Sequence, residues 1–137
     1  MTIRLKPARI RVGLTALVAF MVCCSRQPAL PPPDQVYTVR GLIAALPIPD
    51  KPASQLMIRH EAVPMFVNSD GKVVGMASME MPFTPARGVS LSGLAVGDPV
   101  EFTFEVRWKP KPGSQLTRIS KLPPGTQVHV GKASGGP

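Results

Sequence analysis

Val100, Phe102, Phe104, Val106 and Trp108 alternate with Glu101, Thr103, Glu105 and Arg107. A period of two sends the apolar side chains to one face of an extended strand and the polar ones to the other. Such a strand belongs to an antiparallel sheet with one face on a core and the other in water. The remainder of the chain must supply that sheet.

Four more stretches qualify. Val36–Leu46 is rich in β-branched residues and carries Gly41, which suits a bulge or bend. Gln55–Ala62 alternates, with Leu56, Ile58 and His60 on one face, so His60 continues an apolar, inward row. Met79–Phe83 is a short strand whose Pro82 lacks a ladder donor and fits an edge or a barrel mouth. Gln115–Leu122 closes the set. Prolines 47, 49 and 52 forbid ladder pairing in the first connection, Asp70-Gly71 between valine-bearing arms signals a hairpin, and Gly97-Asp98 makes a tight turn. The expectation is an all-β domain over about residues 36–122, with five strands and no helix. A body of this size hides its edges most economically as a small closed or nearly closed barrel.

The flanks read differently. Residues 1–24 join a basic start (Arg4, Lys6, Arg9, Arg11) to an apolar run from Val12 to Val22 and then Cys23-Cys24. Such a run is too short for the roughly 20 residues that cross a bilayer and has the form of an export signal. Ala-Phe-Met-Val-Cys-Cys-Ser resembles a bacterial lipoprotein signal, with Cys24 as the lipid-bearing residue and the membrane reached through that anchor. Residues 25–35 form a proline-rich spacer, and residues 123–137, rich in Gly and Pro and holding His129, are expected as a disordered tail. The two cysteines sit in the signal, so the body has no disulfide framework.

Sixteen basic and eight acidic residues make the formal charge +8. Four of the basic residues leave with the signal, so 12 − 8 gives +4 for the remainder, with the bases scattered along it. No stripe interleaved with stacking aromatics appears, which argues against nucleic acid. One body histidine, no activated nucleophile and no glycine-rich phosphate loop argue against an enzyme.

Met76, Met79 and Met81 fall within six residues of a chain that has seven methionines. Methionine ordinarily fills core gaps. Here, however, Met79 and Met81 share a strand face, Met76 stands at its entrance, and His60 lies on an inward row upstream. Thioethers with a neutral imidazole form a soft ligand set that suits Cu(I) or Ag(I) and rejects hard cations. Because imidazole must be neutral to ligate, affinity is expected to fall below a pH of about 6.5, where free histidine takes up a proton. Trp108, the single tryptophan, is a candidate for a distant cap over the metal, but its place on the Val100–Phe104 face favours core packing. A metal-free module that binds a polypeptide is the competing reading.

The run LMIRHEAVP, then MASMEMPF, then LAVGDPVEFTFEV and ISKLP resembles the CusF-like periplasmic copper- and silver-binding domains over most of Tyr37–Leu122. The resemblance implies a five-stranded OB-like barrel, a periplasmic location and a monomer. It also implies Cu(I) or Ag(I) held by His60, Met79 and Met81, and copper efflux or copper-delivery proteins as partners. Relatives carry a tryptophan cap where this chain has Met76, which makes Met76 a conditional fourth ligand. The interval between histidine and methionines is longer here by the Val67–Val74 hairpin.

Overall fold

The computed structural model describes residues 29–131; residues 1–24, expected as an export signal, and Cys24 within them lie outside the described residues. Five strands follow one another in the unit that begins at Pro31: β1 (Gln35–Ala45), β2 (Leu56–His60), β3 (Met79–Pro85), β4 (Pro99–Arg107) and β5 (Gly113–Lys121). They close into a barrel in the order β1-β2-β3-β5-β4, and no helix occurs among the described residues. The expected all-β, five-stranded barrel is the fold.

β1 is long enough to serve two ladders. It pairs with β4 from Gln35 to Leu42 and with β2 from Gly41 to Ala45. Gly41 stands where the ladders overlap, opposite His60 on one side and Val100 on the other. The irregularity expected at this glycine falls instead between Ile43 and Ala45. Gly41 serves close approach. A Cβ there would lie 2.7 Å from the Arg59 carbonyl oxygen, 2.7 Å from Ile58 Cγ2 and 3.2 Å from His60 Cα.

The core follows the alternation. Val100, Phe102, Phe104 and Val106 of β4 are buried, while Glu101 is exposed. Phe83 of β3 meets Phe102 and Phe104 with ring centroids 4.9 and 5.3 Å away, both edge-on. Each such side chain contributes about 1.5–3 kcal/mol by leaving water, and edge-on contacts between rings add to that.

β3 is held unequally. It pairs with β2 along Leu56↔Phe83 to His60↔Met79, but with β5 only at Thr84↔Gln115 and Pro85↔Leu116, in parallel. Met79–Phe83 therefore has β2 on one side and no strand on the other, and Pro82 sits within that stretch at no cost to a ladder.

Between β2 and β3 the chain makes the expected hairpin excursion. Val63 and Met76 exchange a reciprocal pair of backbone hydrogen bonds of 2.8 and 2.9 Å, Val67 bridges Val73, and Gly71 takes a φ of 76° at the tip. Tyr37 Oη accepts from Val67 N–H at 2.9 Å, and the Tyr37 and Phe66 rings lie 5.3 Å apart. The excursion is thereby folded back onto β1. Beyond β5, residues 123–131 run as irregular chain; Gly131 N–H donates to Ser78 Oγ and His129 N–H to Glu61 Oε1, both at 2.7 Å.

Candidate metal centre

His60 ends β2 with its side chain almost wholly buried, 1% exposed, in the inward row that Leu56 and Ile58 begin. Its Nδ1 lies 2.6 Å from the Glu61 carbonyl oxygen. A carbonyl only accepts, so Nδ1 carries the proton and Nε2 presents a lone pair. That Nε2 is buried and has no hydrogen-bond partner among the described residues. A buried polar atom left unpaired ordinarily costs about 1–3 kcal/mol. The hydrogen bond at Nδ1 thus fixes the tautomer and orientation of the imidazole and leaves Nε2 as its free acceptor.

The sheet register brings the methionines to it. Met79 stands directly opposite His60, and Met81 opposite Ile58 on the same face. Directly opposed residues have Cβ atoms about 4.5–5.5 Å apart and diagonal ones about 7–8 Å, within reach of long side chains. Along β3 the inward row runs from Met79, 45% exposed, through half-buried Met81 to Phe83 in the core, 2% exposed. The donors therefore sit at a mouth, not in the interior. Met76 is three residues from Met79 and would face the opposite way in an unbroken strand. A bend at Ser78 and a positive φ of 68° at Gly75 interrupt the strand there.

Met76, Met79 and Met81 line one cavity of about 370 Å³, together with Phe66, Trp108, the core residues Phe104 and Val106, and the turn Pro112–Ser114. His60 is not on its wall; it lies across the β2–β3 ladder, with its ring 6.4 Å from that of Phe83. A roomier cavity of about 410 Å³ between residues 86–90 and 117–119 has no histidine or methionine in its lining. Among the described residues no three His, Cys, Asp or Glu side chains gather. A carboxylate cage of the kind hard cations require is therefore not built here.

Trp108 stands where the core and the methionine cavity meet. It does pack against the core, half-buried, but it also lines the methionine cavity, with its ring edge-on to Phe66 at 6.2 Å. Its indole Nε1 is buried without a partner. Phe66 drew no attention in the sequence. Only the folding back of the 63–76 excursion brings it to the cavity, and no local pattern announces that. Met65, a further methionine of the same excursion, is 67% exposed and does not line the cavity.

Residues 36–121 match the family model of the copper binding periplasmic protein CusF. The chain belongs to the CusF family. Among solved structures it is similar to one titled "Crystal structure of Ag(I)CusF", at 24% identity and a TM-score of 0.44, over 64% of this chain and 99% of that one. Comparison with curated proteins gave no match. As a CusF-family barrel, the chain carries its imidazole and thioether donors on β2, β3 and the end of the excursion between them.

Proposed function

We propose that this CusF-family protein binds Cu(I) or Ag(I) as cargo and hands it on. The ligands are His60, Met79 and Met81, with Met76 as a further thioether on the same cavity. One observation carries the reading: the buried His60 Nε2 has no partner among the described residues, while Nδ1 is spent on the Glu61 carbonyl and Met79 stands opposite. An imidazole and neutral sulfurs bind a monovalent soft ion without a buried carboxylate or thiolate.

Transfer then proceeds by ligand exchange. A thioether or thiolate of an efflux or delivery protein enters at the exposed Met79 and replaces one sulfur at a time, and His60, the deepest donor, lets go last. The family's periplasmic character and the signal-like residues 1–24 support export, and Cys24 is proposed as the lipidated residue; mass spectrometry of the mature N-terminus checks it.

Competition for Cu(I) against a chelator tests the site. In Met79→Ala/Met81→Ala the affinity is expected to fall by more than the roughly 10–100-fold that loss of outer-shell partners costs. Trp108, the single tryptophan and a neighbour of the thioethers, should change its fluorescence on Ag(I) addition in the wild type and not in the double variant. Equal Cu(I) affinity in the two proteins would end the proposal.

A further inference from the structure

The C-terminal segment meets the barrel at the two residues that hold His60. Ser78 Oγ donates to the His60 carbonyl at 2.7 Å and accepts from Gly131 N–H at 2.7 Å. Glu61 accepts the His60 Nδ1–H with its carbonyl, and its carboxylate Oε1 accepts from His129 N–H at 2.7 Å. One chain of hydrogen bonds therefore runs from residue 131 through Ser78 to the His60 backbone, and the N–H of residue 129 holds the side chain of the same Glu61 whose carbonyl meets the ring. Linked hydrogen bonds strengthen one another, and the bond to the carboxylate is charge-assisted.

The place of attachment matters as much. Regular β2–β3 pairing stops at His60↔Met79 and resumes only at Val63↔Met76. Between those pairs, Glu61–Ala62 and Ala77–Ser78 are not joined to one another by a ladder. Without the C-terminal segment, the carbonyl that orients the imidazole would sit on a stretch of chain that has lost one of its anchors. Besides the bond its carbonyl accepts from His60, Glu61 would keep its backbone N–H bond to Arg40 O, at 2.9 Å, and lose that of its carboxylate.

We infer that residues 126–131 are a positioning segment for the metal site: through Glu61 and Ser78 they keep the His60 ring in its ligating tautomer and orientation. The inference rests on the proposed metal role of His60 for its consequence, though not for its geometry. The contacts are made by backbone N–H groups. His129 itself is exposed, whereas Val128 and Val130 on either side are half-buried, so its imidazole is not the working part.

Substitutions in the full chain separate these roles. His129→Pro/Gly131→Pro deletes both N–H donors, Ser78→Ala removes the relay, and His129→Ala keeps the N–H while removing the imidazole. Two readouts apply: the ring-nitrogen NMR shifts of His60 in the metal-free protein, and Ag(I) affinity by chelator competition. The double proline variant and Ser78→Ala should move the His60 shifts toward a mixture of tautomers. They should also weaken Ag(I) about 10-fold, the lower end for outer-shell partners. His129→Ala should match the wild type in both. Ser78→Ala deletes a single hydroxyl and keeps the test decisive should the prolines unsettle the fold. Unchanged ring shifts in Ser78→Ala and the proline variant would overturn the inference, as would loss of affinity in His129→Ala alone. Shifts that move in a protein whose wild type takes up no Ag(I) would uphold the positioning and defeat the metal reading.

Discussion

Gly41 and His60 face each other across β1 and β2, and the close approach of the strands leaves no room for a side chain at 41. Any side chain at 41 would begin 2.7 Å from the Arg59 carbonyl oxygen and 3.2 Å from His60 Cα. The strands would have to part at the point from which the ring is aimed. Gly41→Ala is therefore expected to destabilise the barrel by about 1–3 kcal/mol, the usual range for overpacking. In a domain of this size that lowers the thermal midpoint by about 4–8 °C per kcal/mol. It should also move the His60 ring shifts; a midpoint equal to that of the wild type would show that the strands yield freely here. His60 is constrained from the other side, since its single ring bond decides which nitrogen remains for a ligand. That bond is made to the carbonyl of the next residue, and no sequence pattern reports it.

At the scale of elements, the strands were legible because alternation, proline and glycine agreed. β4 runs Pro99–Arg107 against an expected Val100–Trp108, and β2 ends at His60, short of the expected Ala62: pairing with β3 stops at Met79, and Glu61 keeps toward β1 a single bond, its N–H to Arg40 O. The opposition of His60 and Met79 follows from strand order and one register; the three methionines line one cavity, and His60 lies across the ladder from it. The aromatic side of the cavity and the course of residues 126–131 were not legible, since both depend on segments that cross the sheet from far along the chain. The turn into β4 has its own fastening. Asp98 Oδ2 accepts from Lys121 Nζ and from Ala95 N–H, each at 2.8 Å. The bond from Lys121, then that from Ala95, holds the Asp98 carboxyl below its ordinary value. A carboxyl depressed in the folded state stabilises above its unfolded value and loses that contribution as pH falls through the folded one. The contribution is thus in place above a pH of about 3.9 and drains away below it. Urea midpoints of Asp98→Asn should fall less steeply than those of the wild type over that acid range; parallel curves would mean that the turn owes nothing to this charge.

For the whole molecule, the unequal grip on β3 has a kinetic meaning. β4 has a long antiparallel partner on either side, in β1 and β5, whereas β3 is joined to β5 by two residue pairs. Protein regions open with free energies that range from near zero to the global value, according to how much surrounds them. Residue-resolved hydrogen exchange should find the amides of Met79–Phe83 trading with solvent well before those of Phe102–Val106. Matched protection of the two strands would refute this. A barrel arranged in this way has its weakest closure beside its thioethers and its aromatic core beneath them. Lability at the mouth is then uncoupled from the endurance of the fold, so that under the proposed function cargo leaves many times over from a protein that never unfolds to release it.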